Sequence, residues 1–350
     1  MASELKENIS GFIIQGFSDT PRFQISLFVL FLGIYLIILL GNLITFLVIS
    51  CDPHLHTPMY IFLQNLSFID ISSTTTILPN LLHILLTQQN NISFWGCMTQ
   101  MYVFMFLADS EYLLLTAMSY DRYVAICDPL HYITRMSRKH CAWLITATFT
   151  VGFVEPLSIV ISISKLSYCA SHLIDHFFCD GSDSVQPGRR IRPNPNPDEK
   201  GRILAESRTG ESLDVTPLLK LSCSSTFSVE LFIYIVGTFL TFNSFLLPLT
   251  SYIFIISAIL KIKSLQKAFS TCASHLTCVI ILYGTAFCLY MRPTTSYSLK
   301  RDKHFSLLYI ILGPVLNPLI YILKNREFQS SFNKERQRFL SSFYLGNASQ

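Results

Sequence analysis

The chain has 350 residues, of which 51% are hydrophobic and 14% charged, with 28 Phe and 16 Tyr. Soluble domains average about 25% charged residues, so this is a membrane composition. The net charge of +4 is small, and no long run of like charges points to nucleic-acid binding.

Residues 1–23 carry Glu4, Lys6, Glu7, Asp19 and Arg22 without the apolar core of a cleavable signal. The first span is therefore expected to act as its own insertion signal. A membrane-crossing helix needs about 20 mostly apolar residues, and seven such runs follow. The first, 25–49, is uncharged and holds Asn42; the second, 59–86, contains Asp70. The third, 97–126, contains Asp109, Glu111, Asp121 and Arg122, and the fourth, 141–163, carries Glu155 and Pro156. The fifth covers 226–261, the sixth 270–291 and the seventh 305–323. A helix satisfies its own backbone in lipid, and these continuous runs lack the alternation of a β-barrel. The expected fold class is an all-α membrane protein, a seven-transmembrane helix bundle.

The basic residues orient it. Arg135, Arg138 and Lys139 follow span three; Lys261, Lys263 and Lys267 follow span five; Lys324, Arg326, Lys334, Arg336 and Arg338 follow span seven. These three segments lie on one side, the cytoplasmic one, which puts the N-terminus (1–24) outside and the tail (324–350) inside. Arg292, Lys300, Arg301 and Lys303 dissent from outside, one segment against three. The sequons at Asn8 and Asn91 then face outward, so Asn8 is the expected glycosylation site and Asn91 a second candidate. Of ten cysteines, Cys97, Cys169, Cys179 and Cys223 fall outside, an even set that suggests disulfides in one of three connectivities. No cysteine pair has zinc spacing in a matching His context.

Asp121 and Arg122 are adjacent charges where the third span meets a basic loop. Charge at that depth is expensive and marks either function or a helix-end anchor. Residues 181–214, in the loop after span four, read GSDSVQPGRRIRPNPNPDEKGRILAESRTGESLD. They are rich in Pro, Gly, Ser and both charges, a disordered composition unlike the rest of the loop.

Several short stretches together resemble the odorant receptor family, of the rhodopsin-like G-protein-coupled class. They are LHTPMYIFLQNLSFID (Leu55–Asp70), MSYDRYVAICDPLHY (Met118–Tyr132), HFFCD (His176–Asp180), SY (Ser251–Tyr252), KAFSTCASHL (Lys267–Leu276) and PVLNPLIYILKN (Pro314–Asn325). Ser119 stands where the family more often has Ala. Each match is short; six in order, at the right depths of seven spans, are specific. One departure is large: in the family HFFCD runs directly into a segment like VTPLLKLSC, which here begins at Val215. Removing 181–214 restores the pattern. Translated intron in a gene model, a genuine loop expansion and an engineered insert all remain open.

The resemblance implies a receptor that binds small, volatile, largely apolar odorants. It also implies coupling to a stimulatory olfactory heterotrimeric G protein through cyclic AMP, from a multi-pass position in the plasma membrane of sensory cilia. It implies no enzyme activity and no cofactor; its partners are odorant, G protein and lipid bilayer, not nucleic acid. Asp121, Arg122, Tyr123, Tyr252, Lys267, His275, Asn317, Pro318 and Tyr321 become the coupling residues, with Arg122 the switch. Asp70, Glu111 and Asn317 become a sodium or proton site, or else a neutral hydrogen-bond network. The ligand set is Phe104, Met105, Ala108, Asp109, Thr241, Tyr283, Phe287 and Tyr290, with Asp109 either an amine counter-ion or a partner for another span. The implied disulfides are Cys97–Cys179 and Cys169–Cys223. Asn325 to Phe328 would open a short amphipathic helix on the inner leaflet. A receptor for a non-odorant molecule in another tissue is the alternative, as is a non-functional product if 181–214 is real and disruptive. The sequence has neither the related halves of a transporter nor paired catalytic groups at one depth. It also lacks a span-seven lysine for a light-absorbing Schiff base.

Overall fold

A computed structural model describes residues 11–14, 21–87, 91–165, 173–174, 227–261, 275–285, 299–324 and 326–347. A helix stands at each of the seven predicted spans: α1 (Pro21–Cys51), α2 (Pro58–Thr87), α3 (Phe94–Cys127), α4 (Arg138–Ser164), α5 (Phe227–Lys261), α6 (His275–Thr285) and α7 (Leu299–Lys324). An eighth helix, α8 (Arg326–Asn347), follows in the tail. The segment 181–214 and the Asn8 sequon lie outside the described residues.

Local chemistry sets several helix starts. Ser93 caps α3, its Oγ accepting from the Gly96 N–H at 3.1 Å. Ser137 caps α4 through the His140 N–H. Both satisfy a donor that has no partner within its own helix. Among the described residues, four helices are long and apolar enough to cross a bilayer: α1, α3, α4 and α5 over Ile235–Lys261. The 30-residue α2 is long enough but diluted by Gln64, Asn65, Asp70 and a Ser/Thr run.

The helix α3 is the central post, packing against α2, α4 and α5, while α1 packs on α2 and α7. Its apolar window is 56% buried against 17% for α1, which faces outward along most of its length. The burial pattern is that of a protein solvated by lipid. Leu30, Ile37, Leu40, Phe239 and Phe254 are exposed, while Asn42, Asp70, Ser110, Glu111 and Asn317 are buried. In lipid the apolar surface has no reason to hide, but polar groups must find one another. At the crossing of α3 and α4, Gly152 sits so close that a Cβ there would meet the Ser110 Oγ at 2.5 Å.

Sequence patterning did not anticipate a small sheet at the outer end. β1 (Gly11–Ile14) lies between β2 (Asn91–Ser93), antiparallel, and β3 (Leu173–Ile174), parallel. Strands of two to four residues are too short to leave a periodic signal. Asn91 is exposed in β2, paired with Ile13.

Candidate functional site

The inner end of α3 carries the charge pair. Asp121 is fully buried, and Arg122 folds back on it through Nε at 2.8 Å and through a second guanidinium nitrogen. The other carboxylate oxygen accepts from the Tyr132 hydroxyl at 2.9 Å. Tyr132 stands on a single helical turn, Tyr132–Arg135, in the second inner loop. Burial, then the charge on Asp121, push its phenol above the usual range. The carboxylate is thus fully engaged, and Arg122 is only 17% exposed.

Across from it, α5 and α6 meet through Tyr252 and His275, both buried, with the hydroxyl 2.5 Å from Nδ1 and the rings stacked. Tyr123, Ile126 and Cys127 of α3 pack on Tyr252 and Ile255. Tyr123 also meets Phe254 edge-on at 6.0 Å. The inner ends of α3, α5 and α6 are therefore in contact. Lys267 lies outside the described residues, as does the side chain of Tyr321.

The second inner loop contributes a feature that sequence reasoning passed over. Leu130 is 92% exposed and Ile133 84%, the barest apolar side chains outside the spans among the described residues. They are held out by a built turn. Asp128 accepts from His131 at 2.7 Å and pairs with Arg135 at 3.3 Å, contacts that hold its carboxyl below the usual carboxylate range. The signal was present: two large apolar residues in a loop that also carries Asp128, His131, Arg135 and Arg138.

At mid-depth, Asn317 donates to Asp70 Oδ2 at 3.0 Å. Asp70 Oδ1 has no hydrogen-bond partner, and Glu111 is close enough to act on Asp70 electrostatically. A cavity of about 10 Å³, the space of one water, opens beside Glu111 between Ser73, Phe104, Ala108 and Tyr309. Two carboxyls and an amide at this depth suit a shared proton or a single small cation; of the three, only Glu111 lines the small void. The predicted trio Asp70, Glu111 and Asn317 is thus brought together.

The outer half holds fewer of the predicted ligand residues in one place. Phe104 and Ala108 line the small cavity, and Phe104 meets Tyr309 edge-on at 6.2 Å. Met105 is turned about 100° from Phe104 on the helix and does not line it. Asp109, another 40° or so beyond, is buried close enough to Glu155 of α4 to interact with it electrostatically. Two neighbouring buried carboxyls do not both stay charged without a shared proton or a cation, and the sequence of α3 alone does not reveal that neighbour. Tyr283 packs on Tyr112 and Phe245 and donates to the Ser244 carbonyl at 2.6 Å, tying α6 to α5. Phe287 and Tyr290 lie outside the described residues, as does the side chain of Thr241. Cys97 is disulfide-bonded; Cys169, Cys179 and Cys223 lie outside the described residues, and the pairings are left as implied by resemblance.

The olfactory receptor family profile matches residues 31–336. Human olfactory receptor 8H3 is 43% identical over 334 residues, covering 95% of this chain and 96% of its own. Mouse olfactory receptor 5AR1 is 40% identical over 335 residues, covering 94% and 97%. Among solved structures, squid rhodopsin aligns over 93% of this chain and 89% of its own with a TM-score of 0.62. Its 14% identity speaks to the fold alone.

Proposed function

The chain belongs to the olfactory receptor family, and from that premise we propose how its residues divide the work. The protein is an odorant receptor of the G-protein-coupled class, a multi-pass membrane protein and not an enzyme. Its outer half takes a small, volatile, largely apolar odorant against α3, α5, α6 and α7. Its inner half meets a heterotrimeric G protein, of the stimulatory olfactory type, that raises cyclic AMP.

One observation carries this assignment: the Asp121–Arg122 pair, buried and closed over by Tyr132, beside the Tyr252–His275 contact of α5 and α6. In this arrangement Arg122 is withheld, which is the contact set of a resting state. Moving α6 outward breaks the Tyr252–His275 contact and gives Arg122 a partner other than Asp121. A ligand shifts such an equilibrium only through different contacts in the two states. Leu130 and Ile133 form the apolar knob offered to the partner. Asp70, Glu111 and Asn317 hold a proton or a sodium ion that ties α2, α3 and α7 in the resting arrangement.

The test is a cyclic-AMP response to an odorant panel in cells expressing the full chain, and the same chain without 181–214. Arg122→Ala is expected to abolish the response while surface expression survives. An undiminished response would overturn the role of Arg122. A calcium response with no cyclic AMP would overturn the G-protein type.

A further inference from the structure

A groove of about 320 Å³ opens at the inner face between the first and second inner loops. One wall is the start of α2, Pro58 and Ile61, with His56 just ahead of it; the other is Ile133, Met136 and Arg138. Tyr132, the residue that donates to Asp121, forms its floor. No lining residue is acidic. Arg138 is exposed at the rim with Lys139 beside it.

Trp143, one turn along α4, is 63% exposed on the outer surface of the bundle, and Trp settles at the membrane–water boundary. The inner leaflet is the anionic one, and basic pockets between spans on that side take lipid headgroups. We propose that this groove binds one anionic phospholipid of the inner leaflet. The phosphate lies against Arg138, and the first carbons of the acyl chains lie along Ile61 and Met136. A cationic rim over apolar walls complements that molecule at both ends. Neither a wholly apolar nor a wholly polar occupant would be matched.

The full-length receptor in nanodiscs, without odorant or G protein, tests this independently of the coupling scheme. Discs contain phosphatidylcholine with a minority of phosphatidylserine, and native mass spectrometry counts the lipid retained on the protein. The wild type is expected to retain phosphatidylserine over phosphatidylcholine by about tenfold, a preference of about 1.4 kcal/mol. Arg138→Gln should remove the preference and Arg138→Lys keep most of it. Both changes are at an exposed position, and size-exclusion elution confirms that the variants fold. Equal retention of the two lipids by the wild type overturns the proposal. So does a preference unchanged in Arg138→Gln but lost when Arg336 and Arg338 are neutralised, which would put the lipid on α8.

Discussion

Pro318 has no N–H, so the carbonyl of Pro314, one turn earlier in α7, loses its helical donor. Asn42 of α1 supplies the replacement, its Nδ2 donating to the Pro314 oxygen at 3.0 Å and to the Ile38 oxygen at 3.1 Å. The approach requires Gly41, where a Cβ would stand 3.2 Å from Pro318 Cγ. The carbonyl that Pro318 frees in α7 is therefore satisfied from another helix. Interhelical bonds in membranes average only about 0.6 kcal/mol, but a buried group left unpartnered costs about 1–3 kcal/mol. Asn42→Ala falls under the second case and should lower thermal stability in detergent by about 1 kcal/mol or more. A melting curve identical to that of the wild type would mean that Pro314 finds another donor. The residues Asn42, Asn317 and Pro318 were all visible in the sequence as polar or kinking positions within spans. Their pairing was not, because partners such as Asn42 and Pro314 lie hundreds of residues apart. Asp109 teaches the same thing. Its depth was readable, but whether it faced a ligand or Glu155 depended on a helix rotation that a single span does not record.

Helix α8 shows what can be read at the level of the element. A short amphipathic start at Asn325 to Phe328 was expected; the helix runs for 22 residues, Arg326–Asn347. Phe328 and Phe332 place one side against the bundle, Phe328 being fully buried. The apolar spacing continues through Leu340, while Arg336 and Arg338 lie exposed, the pattern of an interfacial helix. Its docking rests on two contacts that no local pattern announces. The Tyr60 hydroxyl donates to Glu327 at 3.1 Å, and Lys334 reaches Asp52 of the first inner loop at 3.4 Å. Burial raises the Asp52 carboxyl, but hydrogen bonds from Ser331, the His54 N–H and Lys334 outweigh it, and the net shift is downward. A carboxyl lowered on folding adds stability at pH above its unfolded value, lost as pH falls through its folded value. The α8 latch should therefore be insensitive to pH from 5 to 8 and loosen only below about 4. Amide hydrogen exchange across 326–340 measures this. Asp52→Asn should speed that exchange about fivefold at neutral pH, worth about 1 kcal/mol, and exchange that rises already between pH 7 and 5 would point to a different latch.

Across the whole molecule, α3 links both ends. Its upper turns carry Phe104 and Ala108 at the small cavity, its middle carries Glu111, and its inner end carries Asp121 and Arg122. The seven helices and their order were legible because lipid demands long apolar runs. The outer sheet and the inner groove were not, because short strands and loop-to-loop contacts leave no period. That groove bears directly on the switch, since Tyr132 forms its floor and hydrogen-bonds Asp121. A bond to a charged partner is worth about 1.5–3 kcal/mol, enough to move a two-state equilibrium about ten- to a hundredfold. Tyr132→Phe keeps the ring in the groove wall and removes only the donor. Asp121 then holds Arg122 with one oxygen unsatisfied, and the resting state loses stability relative to the open one. Basal cyclic AMP should rise about tenfold above that of the wild type at equal surface expression. Lipid retention in nanodiscs should be unchanged, because Arg138 and the apolar walls are intact. A fall in basal signal would instead assign the Tyr132–Asp121 bond to the open state, reversing the direction in which a lipid in the groove acts on Arg122.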